Sequence, residues 1–129
     1  MTVTWIKAGL QPTEDPLKVE EAIKKMFGDI TLDTDTNEMI ISARLDGVEA
    51  LSDFRNRIAQ DRIRDTLKRV LTRWTEEDRL SFGLNRQAAY AGHVSLNLRG
   101  EDPMGPIQVN VEGDIQQVIG YLTDKKHVH

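Results

Sequence analysis

The chain has no cysteine, which excludes disulfides, thiolate metal centres and cysteine nucleophiles together. Its stability must come from packing. Aromatic residues make up only 5% of it, so platforms on which single-stranded bases could stack are scarce. No apolar run approaches the roughly 18 residues of a membrane span, and the N-terminus lacks a basic stretch followed by an apolar one. The expectation is a cytoplasmic protein with no membrane partner. Gly100 and Gly105 lack both the spacing and the following Lys-Ser/Thr of a phosphate loop, and no dinucleotide fingerprint is present. Nothing therefore points to a nucleotide cofactor, to any other cofactor or to a small-molecule substrate. What remains is 129 residues, 39% hydrophobic and 29% charged, in the range of one globular domain able to bury a core. There is no internal repeat, low-complexity tract or linker.

The charge is divided along the chain. Its formal net value is -4, but Arg55 to Arg86 holds nine basic and five acidic residues, leaving 8 basic against 16 acidic elsewhere. A patch of this sign is felt by a partner within about 10 Å, the Debye length at 0.1 M salt, whatever the distant charges.

In chain order, Thr2 to Leu10 alternates as a strand. Asp15-Pro16 reads as an N-cap and first helical residue, and Val19, Ala22, Ile23, Met26 and Phe27 then recur at helical spacing up to a stop at Gly28. Asp29 to Leu32 and Met39 to Leu45 read as a hairpin joined by the polar turn 33–38. That turn lacks the glycine and glutamate positions of a calcium loop. Val48, Leu51, Phe54 and Ile58 mark a second helix. Arg62 to Trp74 reads as the strongest one, with Ile63, Leu67, Val70, Leu71 and Trp74 in an apolar stripe. At 100° per residue, Arg62, Arg69 and Arg73 fall along one flank of the stripe, and Arg64 and Lys68 along the other. Thr75 to Asp78 looks like a helix end followed by an acidic N-terminal turn.

Asn85 to Leu98 gathers the unusual residues: Arg86, Gln87, Tyr90 and His93 beside Ala88, Ala89, Ala91 and Gly92, which let another backbone approach closely. A short helix-forming run there meets a Gly-His turn and then the alternation Val94, Leu96, Leu98. Residues 100–106 form a loop by composition, and Ile107, Val109 and Val111 form a strand expected to pair with the one beginning at Val94. Asp114 caps a last helix carrying Ile115, Val118, Ile119 and Leu122. The domain is expected to span 1–123, with 124–129 a polar tail.

His127 and His129 in that tail make a weak metal pair, and no metal site is expected. His93 has no nucleophile in a recognisable context and is expected to cap a turn or bond a neighbouring carbonyl. The acidic pairs read as solvated faces. The basic helix leaves two readings open. Its arginines contact phosphates, or Asp65 and Asp61 engage Arg62, Arg69 and Arg64 in pairs three or four residues apart. Tyr90 is the one aromatic near the patch that reads as free.

The segments PTEDPLKVEEAIKKMFGD, RIRDTLKRVLTRW, NRQAAYAGHVSLNL, DPMGPIQVNV and DIQQVIGYL resemble, in this order and over nearly the whole chain, a small archaeal family of uncharacterised, predicted RNA-binding proteins. The Arg-Gln-Ala-Ala run and the Pro-x-Gly-Pro-Ile strand entry are the most specific parts. The chain departs from the family at Leu96, where an aromatic residue is usual, and at Gly120-Tyr121-Leu122. The resemblance implies an α+β fold similar to the 5S rRNA-binding protein of the large ribosomal subunit: a single domain, its mostly antiparallel sheet packed on one side by helices. It implies no catalytic residues. It also maps Arg86 and Gln87 onto the family signature, so that the expected RNA surface is Arg62, Arg64, Lys68, Arg69, Arg73, Arg86 and Gln87. The expected function is a non-catalytic RNA-binding module for structured RNA. The alternative is a protein-interaction module, with a homodimer as one form of it.

Overall fold

The computed structural model describes residues 2–97 and 105–124. Five antiparallel strands, β1 (Val3–Gly9), β2 (Asp33–Asp35), β3 (Ile40–Asp46), β4 (Arg79–Leu84) and β5 (Ile107–Glu112), form one sheet in the order β2-β3-β1-β5-β4. The strands bury alternate residues. Thr4, Ile6 and Ala8, with Ile41, Ala43 and Leu45, Leu80, Phe82 and Leu84, and Ile107, Val109 and Val111, are all buried. The opposite face carries Lys7, Arg44, Ser81 and Glu112, with Trp5 half-buried at its centre. One face is thus a core and the other meets water. The expected α+β domain with helices on one side is the fold observed.

Five helices cover the apolar face: α1 (Pro16–Phe27), α2 (Ser52–Asp61), α3 (Arg64–Trp74), α4 (Arg86–Tyr90) and α5 (Ile115–Thr123). A 3-10 turn, Val48–Leu51, leads into α2. Asp15 caps α1 by accepting from Leu17 N at 3.0 Å, and α1 ends at Gly28, whose φ of 87° favours a residue without a Cβ. α1 packs on α4 and α2, and α5 lies against α2 and α3. All three phenylalanines of the chain meet beneath them. The Phe54 ring lies 4.9 Å from that of Phe27 and 6.2 Å from that of Phe82, tying α1, α2 and β4 together.

Four expectations fail for local reasons. Residues expected in the first hairpin turn are themselves strand β2. Asp35 Oδ1 accepts from both Asn37 N and Glu38 N, so the turn tightens to Thr36–Met39 and frees Asp33–Asp35 to pair with β3. The helix expected over Arg62 to Trp74 begins only at Arg64. Arg62 is left-handed (φ 57°, ψ 40°) and ends α2, which periodicity hides because the apolar stripe continues across the break. The acidic run Glu76 to Asp78 is a reverse turn and not a helix start: Glu76 and Arg79 exchange both backbone bonds at 2.9 Å, and the chain returns as β4. Finally, β5 is flanked by β1 and β4, so the segment from Val94 cannot pair with it. That segment instead touches the outer edge of β4 through Leu96 and Leu84. Its end at Leu98, most of the expected 100–106 loop and the tail beyond Asp124, with His127 and His129, lie outside the described residues.

Candidate nucleic-acid interface

Helix α3 presents its cations because its apolar residues recur at 3.6-residue spacing. Leu67 and Leu71 are buried, with Ile63 and Trp74 packed at the margin and Val70 half-buried. At 100° per residue, Arg69 points almost directly away from that core, with Arg73 to one side of it and Lys68 to the other. All three are exposed, and Arg64 is half-buried. Arg62, displaced from the helix by the break, lies with Arg64, Asp65 and Ala59 around a cavity of about 370 Å³.

The intrahelical pairs that would have neutralised this face are not formed. Among the described residues, Arg62, Arg64, Lys68, Arg69 and Arg73 have no acidic partner within 4.0 Å. The surface offers five cations, with the Asp65 carboxylate beside Arg62 and Arg64 and that of Glu76 near Arg73.

Arg86 is not part of it. Its side chain is 1% exposed, and its Nη1 donates to both carboxylate oxygens of Glu14 at 2.8 Å while Nη2 donates to Gly9 O at 2.9 Å. Gln11 N and the Tyr90 hydroxyl also donate to Glu14. This buried constellation pins α4 to the loop between β1 and α1, and a phosphate has no route to it. The expectation for Arg86 is corrected accordingly. Tyr90, half-buried with its hydroxyl engaged, is likewise not the free stacking platform expected. Ala89 is fully buried in this junction, in keeping with the close packing expected of the small residues. Gln87 is exposed on α4, whose main packing partner is α1.

His93 bonds a carboxylate, where a turn cap or a bond to a neighbouring carbonyl was expected. Asp61, the last residue of α2, holds the chain after α4 in place: His93 Nδ1 lies 3.0 Å from its Oδ1, and Val94 N donates to its Oδ2 at 2.6 Å. Burial alone would raise the Asp61 carboxyl. The Val94 N–H, His93 and nearby Arg57 together outweigh it and hold the group below the usual carboxylate range. A lowered folded-state value means that the stabilisation is complete above the unfolded-state value of about 3.9 and is lost as pH falls through the lower folded one. Asp61→Asn is expected to cost about 1–3 kcal/mol at neutral pH. The difference from wild type should begin to shrink below about pH 4 and go on shrinking as pH falls through the lower folded-state value, as read from thermal unfolding across a pH series. A gap that stayed constant from neutral pH into acid would contradict it.

Sequence reasoning also passed over a concavity at the end of α3, lined by Arg73, Trp74, Glu76, Arg79 and Ser81 and enclosing about 500 Å³. Trp74 was legible only as core, and nothing in the spacing signalled that a turn would bring Arg79 and Ser81 back beside it. Among the described residues no group of three or more His, Asp or Glu side chains is placed to hold a metal, and no helix is long and apolar enough to cross a membrane.

A family model described as RNA binding matches residues 5–113. The chain is 30% identical over 128 residues to a UPF0201 protein of Metallosphaera sedula, covering 97% of this chain and 90% of that one. It is 36% identical over 123 residues to a UPF0201 protein of Methanopyrus kandleri, covering 86% and 77%. The crystal structure of a UPF0201 protein from Methanococcus jannaschii matches the fold with a TM-score of 0.80 at 28% identity, covering 94% of this chain and 98% of that chain.

Proposed function

This chain belongs to the archaeal UPF0201 family, and from that footing we propose that it is a non-catalytic, cytoplasmic RNA-binding module that holds phosphates with the outer face of α3. Arg69 and Arg73 are the main contacts, and Arg62, Arg64 and Lys68 extend the surface. The reading rests on five cations gathered without acidic partners on and beside one short helix, in a chain whose net charge is negative. Exposed guanidinium groups bind phosphate oxygens in bidentate fashion and release counterions. Contact of this kind reads the backbone and shape of a structured RNA more than its sequence.

The test is a hairpin RNA titrated against wild type and the double variant Arg69→Glu, Arg73→Glu at several salt concentrations. Affinity is expected to fall on the order of 100-fold, and the dependence of log K on log salt to become shallower by about 1.4 to 1.8, given about 0.7–0.9 per phosphate contact. The circular dichroism spectrum should not change, since both side chains are exposed. Equal affinity for the two proteins would refute the reading.

A second reading, association with another protein or a second copy, has one observation in its favour. Ile63, Leu67, Val70, Val94 and Leu96 line a mostly apolar groove of about 280 Å³ beside the basic face. Self-association insensitive to salt, in a protein that ignores the hairpin, would favour it.

A further inference from the structure

We propose that the concavity at the C-terminal end of α3 is a subsite for one unstacked nucleotide of an RNA strand, its base on Trp74 and its phosphate between Arg73 and Arg79. The inference rests on the RNA-binding reading and sharpens it. Phosphate contacts along α3 suit any folded RNA, whereas this subsite requires a nucleotide free of its neighbours, in a loop, a bulge or a single strand.

The site arises from the reverse turn that ends α3. Trp74 is the last helical residue, and the turn through Glu76 to Arg79 sends the chain back as β4, bringing Arg79 and Ser81 to face it. The resulting space of about 500 Å³ falls within the roughly 300–1,000 Å³ usual for small-molecule pockets. Trp74 packs on the core while lining this space, so it meets a ligand as a preset aromatic surface with little conformational freedom left to lose.

Two cations, Arg73 and Arg79, line it against the one carboxylate of Glu76. Arg73 is exposed and has no acidic partner among the described residues. Arg79 Nε lies 3.7 Å from Glu112 Oε1, in a long pair whose side chains are 73% and 50% exposed. Such a pair is worth little and leaves most of the guanidinium donors available.

The strand edge supplies a further element. Asn97 N donates to Gly83 O at 2.8 Å and Asn85 N to Ser95 O at 2.7 Å, so the outer edge of β4 is covered near its end. At its start, Arg79 is closed by Glu76. By the alternation of an antiparallel ladder, the N–H and C=O of Ser81 point to the same outer side, between these covered stretches. They and the Glu76 carboxylate offer a donor and acceptors to a base edge or a ribose hydroxyl. The Ser81 hydroxyl donates across the sheet to Asn110 Oδ1 at 2.7 Å and so remains an acceptor. An aromatic plane, two cations and a short stretch of strand edge that no described residue covers together match a nucleotide better than a free phosphate, which would not need the ring.

The chain has two tryptophans, so Trp5→Phe leaves Trp74 as the sole indole reporter. This protein is titrated with a short oligouridylate and, separately, with a blunt RNA duplex of matched charge, following both tryptophan emission and an end-label on the RNA. The single strand is expected to quench Trp74 on binding and the duplex not to. In the same background, Arg79→Glu should weaken the single strand about 10-fold or more and the duplex far less, whereas Arg69→Glu should weaken both. Trp74→Leu, if folded by circular dichroism, should lose about 10-fold for the single strand, consistent with the value of one base–aromatic stack. Because Arg79 is exposed and the quench needs no change at Trp74, the result does not hang on that variant folding. Oligouridylate bound without quenching and indifferent to Arg79→Glu would overturn the subsite while leaving the phosphate-binding helix standing. No affinity for either RNA would overturn both.

Discussion

Arg86→Ala is expected to lower the free energy of unfolding by about 3–5 kcal/mol, even though it removes an arginine from a sequence whose other prominent arginines decorate the surface. The cause is what remains behind. With the guanidinium gone, the Glu14 carboxylate, 7% exposed, keeps only the Gln11 N–H and the Tyr90 hydroxyl, and Gly9 O loses its donor. A buried carboxylate without its cation is far more costly than the pair is favourable. Glu14→Leu alone should be comparably harmful, because it strands a buried guanidinium. Combining Arg86→Met with Glu14→Leu should cost clearly less than the sum of the single changes, since no charge is left unpaired; it should still fall short of wild type, because Gly9 O and Gln11 N lose partners. Urea unfolding of the three variants measures this. An Arg86→Ala protein within about 0.5 kcal/mol of wild type, the range of an ordinary surface change, would mean that the pair is not buried in solution.

The contrast between Arg86 and Arg69 shows where a basic residue's role is decided. In the sequence both belong to the same positive stretch, and a family signature favoured Arg86. Structure separates them by the company they keep: Arg86 follows the Asn85 N-cap into a short helix pressed on α1, with an acid 72 positions earlier waiting across the junction. No local pattern carries a pairing at that separation.

Elements whose cause is local were legible. Asp15, Pro16 and Gly28 delimit α1, Asp114 accepts from Gln117 N to open α5, and the alternations of β1 and β5 are strands at the centre of the sheet. The illegible features are those in which a local preference lost to a distant contact or hid inside an unbroken pattern. The break at Arg62 preserves the apolar stripe and so leaves no trace in periodicity. Gly83 marks a close approach by Pro106, whose Cβ would lie 2.9 Å from a Cβ at that position. Strand β4 follows a run that read as an acidic helix start, and no expectation marked it as a strand. The cationic face was legible as a cluster, and what the sequence left open was whether its charges were internally paired. Asp61, three residues before Arg64, is occupied by His93 and Val94 instead.

Phe54→Ala is the second large effect expected, at about 3–5 kcal/mol from the lost volume, with an aromatic contribution of about 0.5–1.5 kcal/mol for each ring pair included in it. Phe54 is 1% exposed and sits between Phe27 of α1 and Phe82 of β4, so no surface group can move in to fill its place. Against a total stability of about 5–15 kcal/mol, such a loss brings the domain close to unfolding at ambient temperature. Phe54→Leu keeps most of the volume and forfeits the ring contacts, and should cost only about 1.5 kcal/mol. In urea both should shift the midpoint with an unchanged slope, the mark of lost packing and not of altered compactness. The functional consequence follows from position: α2 carries Phe54 and leads through Arg62 directly into α3, so the ring helps to hold the cationic helix at its angle to the sheet. If that link acts only through stability, Phe54→Ala should bind the hairpin RNA more weakly in proportion to its unfolded fraction, and excess RNA should restore its melting temperature by mass action. Weakened binding by protein that is fully folded would instead make the ring a determinant of how α3 is aimed, and Phe54→Leu would then share part of the defect.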